Sequence, residues 1–141
     1  MTRKTYLRIV LGSAIYDLLF TLPFATPWGF VAIANLLRML DEALGLPGTI
    51  TEPDALHILL ANLMGSAVLV WAVLRLHLRL PVFGRYDAAI RALFALWLVV
   101  AMSHGVSLVL GALLALEVVL VTLQLWLWRK DESRDPRAGA A

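Results

Sequence analysis

Four long apolar stretches constrain this 141-residue chain more than any other feature of its sequence. Each has close to the ~20 predominantly apolar residues that an α-helix needs to cross a bilayer. The composition agrees, because 61% of the residues are hydrophobic and only 16% are charged, which is unusual for a soluble domain. We therefore predict an all-α membrane protein with four transmembrane helices in an antiparallel bundle, spanning about 6–24, 55–78, 88–104 and 106–128.

The basic residues predict how this bundle is oriented. If the spans alternate in direction, eleven of the twelve Lys and Arg residues fall at the end that holds both termini, and only Arg38 falls at the other. Cytoplasmic loops carry such an excess of basic residues. In length and topology the chain resembles small bacterial four-helix inner-membrane proteins, including the DoxX-like group. We therefore expect a multi-pass protein of the bacterial cytoplasmic (inner) membrane, with both termini in the cytoplasm.

The longest connection, between the first and second spans, has a helical pattern of its own. Apolar residues recur there at helical spacing, and polar residues lie mostly opposite them. The apolar set is Phe30, Ile33, Leu37, Leu40 and Leu44, and the polar set is Asn35, Arg38, Asp41 and Glu42. We predict an amphipathic interfacial helix at about 30–45 on the outer face. It is expected to serve as a simple cover, as a lid over a site, or as a surface for a partner.

Short signals predict where these elements end. Thr51 and Asp54 have the spacing of a capping box at the start of the second span. Gly105 supplies the backbone freedom that a tight turn between the third and fourth spans needs. Residues 1–130 are therefore expected to form one transmembrane domain. Residues 131–141 are charged or small and lack apolar periodicity, so we expect a disordered cytoplasmic tail.

Two acidic residues, Asp17 and Glu117, lie near the middle of predicted spans. An ionised carboxylate at this depth costs at least ~2.5 kcal/mol on insertion scales. Neither span offers a mid-depth Lys or Arg as a counter-charge, so we expect both groups to be protonated or to share a proton, facing the bundle interior. Ser13, Tyr16 and Asn62 are expected in the same polar core. This core serves either helix packing or a proton or ligand site.

Two histidines form a second candidate site. His57 begins the second span and His104 ends the third, so both are expected at the outer face, where they could ligate haem or a metal ion. Metal sites usually need three or four ligands, so we predict no cofactor, with haem as the alternative and any metal unknown. The chain has no cysteine, which excludes thiolate ligands and disulfides.

The function expected from these features is non-enzymatic, because we find no phosphate-binding loop and no hydrolase or protease motif. The first hypothesis is an accessory or interaction subunit of a membrane system, of which an immunity protein against a toxin is one form. The second is a small transporter or hydrophobic-ligand-binding bundle using Asp17 and Glu117, and the third is a haem or metal-binding redox subunit using His57 and His104. The expected partners are membrane lipids and another membrane protein or a second copy, and not nucleic acid.

Overall fold

The computed structural model of the chain describes residues 3–80 and 82–132, and the regular elements of this part are helices. Its α-helices are α1 (Arg3–Thr21), α2 (Pro27–Leu44), α3 (Ala55–Leu78), α4 (Phe83–Ser103) and α5 (Gly111–Glu132). Short 3-10 helices lie at Leu22–Ala25, directly after α1, and at Leu108–Leu110, directly before α5. Four helices, α1, α3, α4 and α5, are long and apolar enough to cross a membrane. The predicted class, an all-helical multi-pass membrane protein, agrees with this result.

The ends of α4 and α5 differ most from the sequence-based expectation. α4 begins at Phe83 rather than near residue 88, so the segment from Gly84 to Arg91 is helix rather than loop. One face of that segment is buried, and its members are Gly84, Asp87, Ala88 and Arg91. These positions have helical spacing, but two of them are charged, so the pattern of apolar residues alone does not reveal the helix. α5 continues to Glu132, so residues 131 and 132 of the predicted tail are helical, and residues 133–141 lie outside the described residues.

The helices are arranged with one less tightly packed side. α1 packs against α3 and α5, and α4 packs against α5. Among the described residues, α3 and α4 have no backbone packing of comparable extent, although they follow each other in the chain. The order around the bundle is therefore α3, α1, α5 and α4. Many large apolar side chains on the outside of these helices are exposed, as expected for surfaces that contact lipid.

A small residue permits the closest approach between α3 and the end of α1. A Cβ on Gly65 would lie 2.5 Å from the carbonyl carbon of Phe24 and 2.7 Å from the amide nitrogen of Ala25. The same crossing is held by Asn62, whose Nδ2 donates to the carbonyl oxygen of Phe24 at 2.8 Å. Since the 3-10 helix after α1 contains Pro23 and leaves carbonyl groups without a regular helical partner, this side-chain bond satisfies one of them.

Helix α2 and the loop that follows it are joined to the turn between α4 and α5. Asp41 accepts a hydrogen bond from the Ser107 hydroxyl, and the Thr49 amide donates to the Gly105 carbonyl at 3.0 Å. Gly105 has a φ of 95°, so the expected requirement for glycine in this turn is confirmed. The predicted polar face of α2 needs correction, because Asp41 lies against the protein while the predicted apolar-face residue Leu44 is 61% exposed.

The start of α3 also differs in detail from the predicted capping box. Asp54, not Thr51, is the N-cap residue, and its Oδ1 accepts a hydrogen bond from the His57 amide at 2.9 Å. The cap therefore lies three residues later than expected, because α3 begins at Ala55, after Pro53. An aspartate in this position satisfies one of the free amide groups of the first helical turn.

The crossing at Gly65 leads to a test of the packing. We expect Gly65→Ala to lower the free energy of unfolding by about 1–3 kcal/mol, because the added methyl group would overlap with backbone atoms that cannot move aside. Gly12→Ala is the matched control, since a Cβ there meets nothing within 4 Å. Thermal unfolding in detergent, followed by circular dichroism, measures the difference, and equal stability of the two variants would contradict this account of the crossing.

Candidate functional site

Five charged side chains from four helices meet in the interior of the bundle. They are Asp17 of α1, Arg75 of α3, Asp87 and Arg91 of α4, and Glu117 of α5, and we call them the interior charge cluster. None of these residues is more than 9% exposed. Since charged residues are almost never this deeply buried without a partner, the contacts within the cluster determine whether the arrangement is stable.

The two guanidinium groups are shared among all three carboxylates. Arg75 contacts Asp17 and places Nη1 2.6 Å from Oδ1 of Asp87. Arg91 places Nη2 2.6 Å from Oδ1 of Asp17, Nε 3.1 Å from Oδ2 of Asp87, and Nη1 2.9 Å from Oε2 of Glu117. Each carboxylate therefore has at least one guanidinium partner. Planar guanidinium groups suit this role because they present several N–H donors in fixed directions.

The prediction that Asp17 and Glu117 lack a basic partner is wrong. The partners come from other helices, Arg75 from the end of α3 and Arg91 from α4. Both arginines are among the eleven basic residues that the charge pattern places at the cytoplasmic end. Side chains in a helix lean towards its N-terminus, so an arginine near the C-terminal end of α3 reaches back towards the middle of the bundle. Arg91 lies near the middle of α4, because that helix begins at Phe83.

Polar side chains surround one side of the cluster. Gln124 of α5 donates from Nε2 to Oδ2 of Asp87 at 2.6 Å and to Oγ of Ser13 at 3.1 Å. Ser13 also accepts from Arg75 at 3.3 Å, so the structure brings this predicted core residue to the cluster. Trp71 approaches Asp87 from α3, with its Nε1 3.5 Å from Oδ1.

The remaining predicted core residues are divided between two places. Tyr16 lies beside the cluster, with its ring 5.9 Å from the guanidinium carbon of Arg91. Asn62 does not join it, because its amide group bonds to the Phe24 carbonyl at the crossing of α1 and α3. Asp87 and Gln124 are not among the site residues predicted from the sequence. The spacing of Asp87 and Arg91, four residues apart on a helix, was the available signal for the first of them.

Several polar atoms at the cluster have no hydrogen-bond partner among the described residues, and they include Nε of Arg75 and Oε1 of Gln124. The hydroxyl oxygen of Tyr16 is buried and makes no hydrogen bond. Glu117 uses Oε2 to contact Arg91, and its other oxygen, Oε1, has no such contact. Buried polar groups nearly always have a hydrogen-bond partner. Tyr16 and Glu117 also line a cavity, so a molecule bound there can supply hydrogen-bond partners for these two side chains.

The cavity has a volume of about 650 Å³ and extends from the charge cluster along α1, α3, α4 and α5. Asp17, Asp87, Arg91 and Glu117 form its polar end. The rest of the wall is apolar, and its aromatic members are Tyr16, Phe20, Phe24, Trp71, Phe94 and Trp97. Small-molecule sites have this character, with volumes of roughly 300–1,000 Å³, mostly apolar walls and a few convergent polar groups.

The less tightly packed side of the bundle forms the opening of the cavity. Near their connecting turn, α3 and α4 are joined by the Arg75–Asp87 ion pair and by an edge contact of the Trp71 and Phe83 rings, 5.5 Å apart. Further along, the cavity separates the two helices. Met64 of α3 and Trp97 of α4 line the cavity and are also 49% and 62% exposed on the outer surface of the bundle.

A row of aromatic rings connects the cluster with α2. Ring centroids are 5.4 Å apart for Tyr16 and Phe20, 5.9 Å for Phe20 and Phe24, and 5.9 Å for Phe24 and Phe30. The first three rings line the cavity, and Phe30 belongs to α2. α2 itself contributes no residue to the cavity wall. In this row, the contact between α2 and the cavity wall is the one between Phe30 and Phe24.

The two predicted outer-face histidines have separate local partners. His57 Nδ1 lies 2.7 Å from Oδ1 of the N-cap residue Asp54, and His104 Nδ1 lies 2.8 Å from the carbonyl oxygen of Val100. Within residues 3–80 and 82–132, no residue hydrogen-bonds to both rings. Among the described residues there is no group of three or more His, Asp or Glu side chains placed to hold a metal ion. The shared haem or metal site stays a prediction without a contact that supports it.

No protein-family model, curated protein or solved structure matches this chain. The cavity and the charge cluster are therefore the features from which its function is inferred.

The shared guanidinium of Arg91 gives the sharpest test of the cluster. Arg91→Met leaves Glu117 without a cation, and we expect it to lower the free energy of unfolding by about 3–5 kcal/mol, as for a buried ion pair that loses one member. Arg8→Met is the control, because Arg8 is exposed on α1, and we expect a change of less than about 1 kcal/mol. Adding Glu117→Gln to Arg91→Met should restore part of the loss. Chemical unfolding in mixed micelles measures all three variants, and equal stability of Arg91→Met and Arg8→Met would refute the ion-pair account.

The N-cap of α3 predicts a pH dependence of stability. The backbone hydrogen bond from His57 lowers the pKa of Asp54 below its ordinary value. A lowered folded-state pKa means that the ionised cap stabilises the fold above the ordinary pKa, and that this contribution is lost as the pH falls through the folded-state pKa. We expect wild type to melt above Asp54→Asn, which keeps an acceptor but does not ionise. The difference should shrink as the pH falls below the ordinary pKa of aspartate and then through the lowered folded-state pKa, and a difference that is constant with pH would exclude ionisation as its cause.

Proposed function

We propose that this protein binds a lipophilic small molecule in its interior cavity, and that the molecule enters from the lipid between α3 and α4. One observation carries the proposal: a cavity of about 650 Å³ whose walls are apolar and whose far end is the interior charge cluster. The walls suit an apolar body, and the cluster suits a polar head group. An amphiphilic molecule has both parts.

The size of the cavity supports an occupant. Protein interiors are close-packed, and an empty apolar cavity is destabilising by about 24 cal/mol per Å³ of residual volume. A bundle of this length has little stability to lose. Large side chains such as Phe94 and Leu98 of α4 line the cavity and leave it open. We therefore infer that a lipid chain or a ligand fills the cavity.

The proposed entry route follows from the position of the opening. Met64 and Trp97 are exposed on the side of the bundle that would face lipid, and they line the cavity at the same time. A molecule dissolved in the bilayer reaches this gap without crossing water. In the proposed topology, α1 and α3 run antiparallel, which is supported by the pairing of Asp17 with Arg75 and of Phe24 with Asn62.

The proposed location is a bacterial inner membrane with both termini in the cytoplasm. Arg75 and Arg91 belong to the charge cluster and do not count towards orientation. Nine of the remaining basic residues still fall at the end that holds the termini, against Arg38 at the other. This asymmetry supports the orientation. At the opposite end, α2 would lie in the outer interface, with exposed apolar residues such as Trp28 and Met39 in contact with lipid.

The other hypotheses have less support. An accessory subunit needs a surface for its partner, and the exposed apolar residues of α2 are equally suited to lipid. A redox subunit needs a shared ligand for His57 and His104, and each ring has its own local partner. The ligand-binding hypothesis uses a cavity that is already formed, so we prefer it.

A tryptophan placed in the cavity tests the proposal. We expect the wild-type protein, taken from its own membranes in mild detergent, to carry a non-covalent small-molecule mass in native mass spectrometry. Val68→Trp should lose it, because Val68 lines the cavity and the indole ring would occupy the space. Val70→Trp is the matched control, since Val70 lies on the same helix and is 70% exposed.

The comparison gives a clear result in either direction. Loss of the bound mass in Val68→Trp, with retention in Val70→Trp, supports binding in the cavity. The same bound mass in all three proteins would place the molecule outside the cavity, and a wild-type protein without any bound mass would count against the proposal.

A further inference from the structure

We propose that the molecule bound in this cavity is a lipophilic organic cation, such as an alkylammonium, and that it competes with a proton for Glu117. This inference rests on the proposed function and adds the charge of the ligand to it. Three features support it: the charge balance of the cluster, the free polar atoms next to the cavity, and the aromatic walls.

The charge balance of the cluster is uneven. Asp17, Asp87 and Glu117 can carry three negative charges, and Arg75 and Arg91 carry two positive ones. With every group ionised, the cluster has a net charge of minus one. An uncompensated charge in a low-dielectric interior is strongly unfavourable. One additional positive charge, either a proton or a bound cation, makes the cluster neutral.

The position of that additional charge follows from the hydrogen bonds. Both oxygens of Asp17 and both oxygens of Asp87 contact guanidinium groups. Glu117 has one oxygen in contact with Arg91, and Oε1 has no partner among the described residues. The Glu117 side chain is 7% exposed and lines the cavity. Its free oxygen is therefore the carboxylate oxygen of the cluster that is left to accept from a ligand.

The aromatic walls of the cavity favour a cation over an anion, because the faces of aromatic rings attract positive charge. Phe94 and Trp97 line the cavity, while the rings of Tyr16 and Trp71 already lie against the guanidinium groups of Arg91 and Arg75. Two arginines also lie close by, but their donors already contact carboxylates, apart from Nε of Arg75. An anionic ligand would add a second uncompensated negative charge to the cluster. A neutral ligand would leave the first one unbalanced unless a proton binds.

Competition with a proton follows from the same balance. A proton on Glu117 neutralises the cluster without a ligand, so a cation must displace it. The affinity for a cation should therefore fall as the pH falls, whereas the affinity for a neutral molecule of the same shape should not. The charged and titratable groups next to Glu117 are Tyr16 and Asp17 of α1 and Asp87 and Arg91 of α4, and Arg75 of α3 contacts the two aspartates among them.

A matched pair of probes tests the inference on the whole protein in lipid nanodiscs. Equilibrium binding of tritiated decylammonium, whose N–H groups can donate to Glu117, is compared with that of tritiated decanol, with uptake by empty nanodiscs subtracted. We expect the cation to bind about tenfold more tightly than the alcohol at about pH 8. Between about pH 8 and about pH 5 we expect it to lose about tenfold in affinity, while decanol binding stays constant.

Variants identify the residue responsible. Glu117→Gln makes the cluster neutral, so we expect the cation to lose both its advantage over decanol and its pH dependence. Decanol binding should remain, which shows that the variant is folded. Glu42→Gln is the matched control, because Glu42 is an exposed acid on α2, and it should behave as wild type. Val68→Trp should block both probes.

The outcomes separate the two proposals. If decanol binds in a manner blocked by Val68→Trp while the cation binds no more tightly at any pH, the cation inference is overturned and the lipophilic cavity stands. If neither probe binds in a manner sensitive to Val68→Trp, the proposed function fails together with the inference. If Glu117→Gln loses decanol binding as well, the selectivity and pH dependence of wild type decide between cation and neutral ligand.

Discussion

Two buried guanidinium groups, those of Arg75 and Arg91, bind three carboxylates contributed by α1, α4 and α5. In a low-dielectric interior each of these charges is tolerated only while it is paired. A small shift of any one helix would separate at least one pair. Apolar contacts between helices in lipid are less selective, because lipid chains are as apolar as the side chains they replace. The cluster therefore sets the positions of four helices relative to one another.

The same cluster accounts for the open side of the bundle. Arg75 and Asp87 hold α3 and α4 together close to their connecting turn, and Trp71 and Phe83 pack beside them. Beyond this point the facing residues are apolar, and the cavity lies between the helices. The polar end of the cavity is thus the part that determines the fold, while the apolar part is free to accept a molecule. The residues of the interior charge cluster therefore hold the helices in place and also form the polar end of the proposed binding site.

Some of these features follow from local sequence alone. The existence of four apolar helices depends on hydropathy over about 20 residues, and the bounds of α3 were predicted at Ala55–Leu78, as observed. The positive φ angle of Gly105 was also predictable, since short turns favour glycine there. Asp17 and Glu117 are identified as unusual from the sequence alone, because a carboxylate is rare in the middle of a transmembrane span.

Other features depend on which helices are neighbours, and no local pattern contains that information. Arg75 and Arg91 have the same sequence appearance as arginines that flank a loop, yet their side chains lie in the interior. Asn62 was predicted to join the polar core, yet its side chain bonds to Phe24 in the 3-10 helix that follows α1.

The sequence by itself determined the class of this protein and the depth of its buried acids, because hydropathy and charge act over a few helical turns. Only the tertiary structure decided which cations pair with those acids and where a cavity remains. Ion pairs and cavities arise between segments far apart in the chain, and they depend on the rotation of each helix about its own axis.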